Sequence, residues 1–183
     1  LLKPPVILGH EFSGEAFEVG SEVKGLSVGD RVTCETHGEV CGECYYCIAG
    51  DYNLCIQRRG FGYQKDGAFA EYILVPSIRI HKLPDTVSFK EGALTEPTSV
   101  VHHALTERVQ IKPGDIVVVT GPGPIGILSA QMARIQGAQK VIVTGLTVDG
   151  PRLELALKLG ADVTINAEKE YAVEEVMKIT GGL

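Results

Sequence analysis

The pattern of hydrophobic and polar positions divides the chain into two parts. In the first hundred residues, short apolar or alternating runs lie between glycines and prolines, and they predict strands at 15–20, 30–35 and 69–75. No helical periodicity separates these strands, so they indicate a small irregular β-barrel. Over 88–108, apolar residues recur every three or four positions, which predicts two short helices or one helix interrupted at Pro97.

The second part alternates strands with helices. The run IVVVT at 116–120 is continuously apolar and β-branched, which is typical of a strand buried on both faces. The further predicted elements are helices at 125–138, 151–160 and 170–180 and strands at 141–144 and 163–165. This alternation favours a right-handed parallel α/β unit. We therefore predict a boundary near 108–113, with domains 1–108 and 109–183.

Composition and charge restrict the possible partners. The chain has 183 residues, of which 44% are hydrophobic, so one well-packed domain or two small ones are expected. A net charge of -6 disfavours binding to a nucleic-acid backbone. There is no apolar run of the roughly 18 residues that a membrane span needs, and no signal segment. We predict a cytoplasmic protein without nucleic-acid or membrane partners.

Four of the five cysteines fall within fifteen residues, at Cys-x2-Cys-x2-Cys-x7-Cys spacing. Thiolates two residues apart converge on one ion, and four of them complete a tetrahedral zinc site with no open position. We therefore predict a structural zinc ion rather than a catalytic one. Disulfides are disfavoured inside the cell, whereas an iron–sulfur cluster stays an alternative because CxxCxxC also begins ferredoxin-type sequences. The predicted ligands are Cys41, Cys44, Cys47 and Cys55; Cys34 stands alone and is predicted to be buried.

A second set of metal-ligating residue types is spread over the first hundred residues. His10 and Glu11 follow a glycine in GHEFSGE, and Glu96 lies in an apolar stretch directly before Pro97. A carboxylate in apolar surroundings is expected to be paired, protonated or metal-bound. Histidine and glutamate suit a catalytic zinc ion that keeps one position for water or substrate. The residue types alone leave ordinary surface residues as the alternative.

The segment TGPGPIG contains Gly121-x-Gly123-x-x-Gly126 between the predicted buried strand and a helix. In this context the glycines permit a tight turn, let a pyrophosphate approach the backbone, and let the helix pack on the strand. The helix N-terminus then faces the phosphates. The segment predicts a dinucleotide site, and the alternative is a glycine-rich turn in a domain that binds no nucleotide.

The acid that usually holds the ribose of NAD is missing from its expected place. That acid follows the second strand, where this chain has Gly145. Arg152, just beyond, is able to accept the 2′-phosphate of NADP, and Asp149 is a less well placed acid. The sequence leans towards NADP and leaves the choice between NAD and NADP open.

Together, these motifs resemble the zinc-dependent medium-chain dehydrogenase/reductase family, and within it the sorbitol (polyol) and threonine dehydrogenase branch. The motifs are GHE, the four-cysteine loop, DGAFAEY, LPDTVSF, the EP segment and VVVTGPGPIG, and they span nearly the whole chain. TEPTSVVHHA is similar to sorbitol dehydrogenases, and ETHGEVCGECYYC is similar to threonine dehydrogenases. The resemblance implies an α/β fold: an incomplete GroES-like irregular β-barrel catalytic domain, then the first half of a Rossmann doubly wound parallel sheet.

The resemblance also implies roles for individual residues. His10, Glu11 and Glu96 would be catalytic and would form the catalytic zinc site, with Glu11 either a ligand or a carboxylate beside the ligands and Glu96 bound directly or through water. The cysteine cluster would hold the structural zinc ion. His37 would lie near the substrate or else be a solvated loop residue. The implied reaction is hydride transfer between a secondary alcohol (a polyol, diol or L-threonine-like compound) and NAD or NADP, in a homo-oligomer. The implied cofactor-binding residues are Gly121, Gly123, Pro124, Ile125, Gly126, Gly145 and Arg152.

Two departures from the family pattern keep alternatives open. Family members have a further zinc-ligand cysteine upstream of the GHE segment, and their nucleotide-binding sheet continues beyond three strand–helix units. We therefore expect this chain to be part of a longer protein. The alternatives are a non-catalytic zinc- and nucleotide-binding fragment, an iron–sulfur protein, and a carbonyl reductase that uses NADPH.

Overall fold

The computed structural model describes residues 5–182, which form two compact units divided between Glu96 and Pro97. The strands are β1 Ser13–Glu15, β2 Arg31–Cys34, β3 His37–Glu39, β4 Arg59–Gly60, β5 Ile80–Lys82, β6 Ile116–Thr120, β7 Lys140–Gly145 and β8 Val163–Asn166. The α-helices are α1 Tyr45–Ala49, α2 Phe89–Ala93, α3 Thr95–His102, α4 Pro124–Ile135, α5 Gly150–Lys158 and α6 Ala172–Thr180. Short 3-10 helices cover Tyr52–Leu54, Ser77–Arg79 and Thr147–Asp149, and a π-helix covers His103–Val109.

The first unit is built on short antiparallel strands. Strands β1, β2 and β5 form one sheet in that order, and β3 pairs with β4 in a second. The middle strand β2 is the buried one, with Val32, Thr33 and Cys34 enclosed. The prediction that Cys34 is a buried residue outside the cysteine cluster is confirmed.

Helix α2 closes one side of this unit through two side-chain anchors. The Ser88 hydroxyl accepts a hydrogen bond from the Glu91 N–H, and the Glu91 carboxylate accepts one from the Ser88 N–H, which is a capping box. The Arg31 guanidinium lies 4.6 Å from the Phe89 ring centroid and donates to the Pro84 carbonyl. These contacts fix the start of the helical segment that leads to Glu96.

The second unit contains a three-stranded parallel sheet in the order β6-β7-β8. Its middle strand β7 is buried, and α4 and α5 pack on it. The buried helix residues that face the sheet are mostly alanines, so the helices approach the sheet closely. The buried residues of this core are Ala130, Ala133, Ala138, Val141, Val143, Leu153, Ala156 and Ala161. The predicted parallel α/β unit and the α/β fold class are confirmed.

Three local predictions differ from the structure. In 15–20 only Glu15 is in a strand, where it pairs with Arg31, and 69–75 contains no strand. The other residues of these segments have no ladder partner among the described residues. The helical segment breaks at Leu94 rather than at Pro97, which lies in the first turn of α3, where a missing N–H costs nothing.

The division between the compact units falls inside α3, twelve residues before the predicted end of the first domain at 108. The helical segment continues from Thr95 to Val109, so all of it from Pro97 onwards belongs to the second unit. A compact unit does not have to end where a domain ends. The boundary between domains 1–108 and 109–183 therefore stays a prediction.

Candidate functional site

The structure brings the four predicted cysteines together in one cluster. Each offers a sulfur, and the four Sγ atoms all lie within 4.8 Å of one another. Cys47 lies on α1, and Cys55 follows the short 3-10 helix at Tyr52–Leu54. Two backbone amides point at sulfurs: the Cys41 N–H donates to Cys55 Sγ and the Cys44 N–H donates to Cys41 Sγ, both at 3.4 Å.

The spacing of the sulfurs fits a single tetrahedral ion. A zinc–sulfur bond of about 2.3 Å gives a tetrahedron with edges of about 3.8 Å. The Sγ–Sγ distances are 3.9 Å between Cys41 and Cys47 and 3.7 Å between Cys41 and Cys55. In an iron–sulfur cluster the four cysteines are distributed over the cluster's irons, which needs wider spacing than this. The geometry therefore favours zinc over the cluster.

The thiols of this cluster differ in acidity. The pKa of the Cys44 thiol is lowered to about 6, chiefly by the hydrogen bond from the Cys47 N–H. The pKa of Cys55 is lowered too, chiefly by the Cys41 N–H. Burial, followed by the neighbouring thiols, raises the pKa of Cys47 to about 12. A metal ion requires all four as thiolates, so its binding would release protons from the cluster.

His10, Glu11 and Glu96 also meet. One ring nitrogen of His10 and one oxygen of each carboxylate lie within 4.8 Å of one another. Glu96 is in the first turn of α3, 85 residues after Glu11, so only the fold joins them. The donor set of one nitrogen and two oxygens suits a zinc ion that keeps a position open, which fits the predicted catalytic site.

The segment before His10 is fixed by close backbone packing. The Gly67, Ala68 and Phe69 amides donate to the carbonyls of Ile7, Gly9 and Leu8, at 2.7, 3.0 and 2.9 Å respectively. A Cβ on Gly67 would lie 2.1 Å from the Gly9 carbonyl oxygen, so only glycine permits this approach. The Tyr63 ring lies 5.3 Å from the His10 ring, centroid to centroid. Position 10 is therefore held by DGAF and by the turn that carries Tyr63.

Burial raises the pKa of Glu96, and the charge of Glu11 adds to that rise. The positive charges of His10 and Arg58 oppose it. A group whose folded pKa exceeds its unfolded value of about 4.3 stabilises the fold only below that pH, and the contribution is lost as pH rises through the folded pKa. A cation bound at this site would lower the pKa of Glu96 instead, because it favours the charged carboxylate.

In metal-free protein, we expect Glu96→Gln to be more stable relative to wild type at pH 7 than at pH 4. Urea unfolding at both pH values measures this difference. Glu91→Gln is the control of opposite sign, because the Ser88 hydrogen bonds lower the Glu91 pKa and its carboxylate stabilises the fold at pH 7. The same pH trend in both variants would contradict the assignment of Glu96 to a desolvated site.

Around the predicted residue His37, the structure adds partners that sequence analysis missed. The His37 side chain is 12% exposed, so it is largely enclosed rather than solvated, and its Nε2 contacts the Glu35 carboxylate, which also binds Arg79 and His81. The pKa of His37 is lowered, chiefly by burial. Two segments, 35–37 and 79–81, therefore converge on the Glu35 carboxylate, and β3 also pairs His37 with Gly60. The spacing of these residues in the sequence does not predict that they meet.

The glycine-rich turn has the shape expected of a phosphate-binding turn. Gly121 has φ of 95°, and its N–H donates to the Thr144 carbonyl. A Cβ on Gly126 would lie 1.9 Å from the Gly121 carbonyl oxygen, whereas a Cβ on Gly123 would meet nothing within 4 Å. Gly123 is the N-cap of α4, and Pro124 is at its first turn. The open space at Gly123 beside a helix N-terminus fits a pyrophosphate.

The remaining predicted cofactor residues surround this turn. Ile125 is on the first turn of α4 and half exposed. Gly145 ends β7, where a Cβ would lie 3.1 Å from both Pro122 and Leu153, so the missing acid has no ready space there. Arg152 donates to the Asp149 carboxylate at 3.1 Å.

The comparisons with known proteins agree with this picture. Residues 1–85 match the family described as alcohol dehydrogenase GroES-like domain, and residues 124–183 match the family described as zinc-binding dehydrogenase. A sorbitol dehydrogenase of Halalkalibacterium halodurans is 49% identical over 178 residues, which is 97% of this chain and 51% of that protein. An L-threonine 3-dehydrogenase of Pyrococcus horikoshii is 43% identical over 99% of this chain and 51% of its own length.

Among solved structures, a zinc-binding dehydrogenase of Sinorhizobium meliloti bound to NADP superposes with a TM-score of 0.87. It is 38% identical, and the match covers 94% of this chain and 49% of that one. The chain belongs to the zinc-dependent medium-chain dehydrogenase family, as the resemblance implied. It spans about half the length of the curated relatives it matches.

Within residues 5–182, no helix is long and apolar enough to cross a membrane. The predicted cytoplasmic location and homo-oligomeric state stay predictions.

Proposed function

We propose that the protein carrying this chain is a zinc-dependent dehydrogenase that transfers hydride between a secondary alcohol and NAD or NADP. The observation that carries the proposal is the meeting of His10, Glu11 and Glu96 in a chain that also has a separate four-thiol cluster. Sorbitol and threonine, the substrates named for two relatives, are both secondary alcohols at the reacting carbon. The proposed substrate is therefore a polyol, a diol or an L-threonine-like compound.

Each group of residues has a proposed task in this reaction. A bound zinc ion would supply Lewis-acid chemistry that lowers the pKa of the substrate hydroxyl. His10, Glu11 and Glu96 would hold that ion, and the Tyr63 ring packs beside the His10 imidazole. The cysteine cluster would hold the second zinc ion and keep the 41–55 loop folded. The Gly123 backbone and the α4 N-terminus would bind the cofactor pyrophosphate, and the nicotinamide would accept the hydride.

The test of the function combines metal analysis with a cofactor-reduction assay. We expect the purified protein to contain zinc and to reduce NAD or NADP with sorbitol, 2,3-butanediol or L-threonine, followed by the absorbance of the reduced nicotinamide. Activity that is lost on chelation and restored by zinc would support the proposal. Stoichiometric zinc at both sites without turnover of any secondary alcohol in either direction would reject it.

Substitution of the second and third glycines of the turn by alanine is expected to have different effects on stability and cofactor binding. Gly126→Ala should destabilise the protein by about 1–3 kcal/mol or more, because the new Cβ overlaps a backbone oxygen that cannot move away. Gly123→Ala should change stability by less than about 0.5 kcal/mol, because its φ of −71° suits alanine and the space is open. Gly123→Ala should instead weaken binding of the cofactor, whose pyrophosphate would meet the added methyl group.

Urea unfolding and NADH fluorescence titration of both variants measure these effects. Gly14→Ala serves as the control, because a Cβ there would also meet nothing within 4 Å and its φ is not positive. Unchanged cofactor affinity in a stable Gly123→Ala protein would contradict the placement of the pyrophosphate.

A further inference from the structure

The carboxyl ends of β7 and β8 place a carboxylate that sequence analysis missed near the predicted adenosine site. Glu168 follows β8, and its carboxylate accepts a hydrogen bond from the Thr147 N–H at 2.7 Å. The Asn166 side-chain amide donates to the Thr147 hydroxyl at 3.1 Å. The parallel register, with Gly145 opposite Asn166, brings the residues after the two strands together.

Thr147 occupies the position that decides between the two cofactors. In dinucleotide-binding α/β units, the residues just after the second strand contact the ribose 2′-hydroxyl of NAD or the 2′-phosphate of NADP. A 2′-phosphate carries about −1.5 to −2 charges at pH 7 and needs N–H donors or a guanidinium. In this chain, a 2′-phosphate would have to bind to the N–H groups after β7 and to the neighbouring Arg152.

In this structure, those N–H groups and the Arg152 guanidinium already donate hydrogen bonds to carboxylates. The Thr147 N–H is bound to Glu168 and the Leu146 N–H to Asp149, at 2.7 and 3.1 Å. Arg152 also donates to Asp149, at 3.1 Å. At these donors two carboxylates face one guanidinium, and Lys169 is a further cation near Glu168. A 2′-phosphate would have to displace Glu168 from Thr147 and stay beside it, where like charges repel.

We propose that Glu168 is a specificity-determining residue that favours NAD over NADP by keeping its carboxylate on the Thr147 N–H. The inference rests on the proposed function, because it needs a dinucleotide in this site. Glu168, which follows the neighbouring strand β8, takes the role of the NAD-selecting acid that is missing at Gly145. The NADP in the Sinorhizobium meliloti relative favours the opposite choice, so the two cofactors must be compared directly.

The test uses two nucleotides that differ only by the 2′-phosphate: 5′-AMP and adenosine 2′,5′-bisphosphate. Their dissociation constants are measured by titration calorimetry on wild type, Glu168→Gln and Glu170→Gln. The amide oxygen introduced by Glu168→Gln would still accept from the Thr147 N–H, so this variant removes the charge and keeps the hydrogen bond. Glu170→Gln removes an equal charge two residues away, from an exposed side chain.

We expect wild type to bind 5′-AMP more tightly than the bisphosphate. Glu168→Gln should strengthen binding of the bisphosphate at least about tenfold and leave 5′-AMP within about twofold. Glu170→Gln should change the ratio of the two affinities by less than about twofold, because this exposed carboxylate is not the one bound to the Thr147 N–H.

Three results would overturn the inference. These are a wild-type preference for the bisphosphate, an unchanged affinity ratio in Glu168→Gln, and an equal change in both Glu variants. Failure of wild type to bind either nucleotide would instead reject the proposed function, together with the inference that depends on it. The two failures are therefore distinguishable.

Discussion

Replacing Cys44 by serine is expected to remove one zinc ion per chain and to unfold the loop at 41–55. The thiol of Cys44 has a pKa of about 6, so it is the sulfur most ready to bind metal as a thiolate. Serine cannot replace a thiolate ligand, and zinc affinity should fall by more than about 100-fold, beyond the loss seen when only an outer partner of a ligand is removed. Elemental analysis of wild type and variant measures the change.

The loop depends on the metal because it has little else to fold it. Helix α1 has five residues, far below the length at which an isolated helix is stable. The side chains of Tyr45, Ile48 and Ile56 are each nearly four-fifths exposed, so the loop buries little apolar surface of its own. In zinc-finger peptides such an ion contributes about 10–16 kcal/mol of apparent folding free energy. Amide hydrogen exchange over 41–55 should therefore accelerate in the variant.

Cys34→Ser is the matched control for this experiment. It makes the same chemical change at a buried cysteine whose pKa is raised to about 12, chiefly by burial. Its zinc content should equal that of wild type, even if its stability falls. Equal zinc loss from both variants would mean that general unfolding, rather than a lost ligand, released the metal. Full zinc retention in Cys44→Ser would contradict the structural site.

Replacing His10 by alanine is expected to reduce alcohol oxidation by about a thousandfold or more. Metal polarisation of the reacting oxygen supplies several kcal/mol of transition-state stabilisation, and each 1.4 kcal/mol is about a factor of ten in rate. His10 offers the one nitrogen ligand in its set, beside two carboxylates. Its loss should lower kcat and remove the zinc ion that survives in Cys44→Ser.

His102→Ala is the control for the loss of a histidine near the same segment. His102 is exposed at the end of α3 and should keep activity within about twofold, as expected of a surface substitution. The assay is the initial rate of NAD or NADP reduction, paired with zinc analysis of the same sample. Activity of His10→Ala within tenfold of wild type, with zinc retained, would show that the catalytic metal is held elsewhere.

The cofactor turn and the cysteine cluster were predictable from sequence because their determinants are local. Gly121, Gly123 and Gly126 lie within six residues, and the turn geometry itself excludes a side chain at position 126. The four cysteines lie within fifteen residues, so chain length alone keeps their sulfurs close. The alternating pattern after residue 115 predicted three strands and three helices in the right order for a similar reason.

Two strand predictions, at 15–20 and 69–75, failed wholly or largely for want of a partner strand. The run at 69–75 has the composition of a strand, yet Phe69 and Leu74 are exposed and no ladder forms in the described residues. Residues 67–69 instead bind the segment that leads to His10. Strand formation needs a neighbour at the right register, and a sequence window carries no record of that neighbour.

By itself, the sequence determined the family, through the order of its motifs along the chain. It also determined the grouping of the four cysteines and the glycine-rich turn, because those residues are close together in the chain. Only the tertiary structure brought Glu96 to His10 and Glu11, surrounded Glu35 with His37, Arg79 and His81, and placed Glu168 on Thr147. These contacts join residues separated by up to 86 positions, from Glu96 back to His10. They follow from strand register and helix packing, which act through space rather than along the chain.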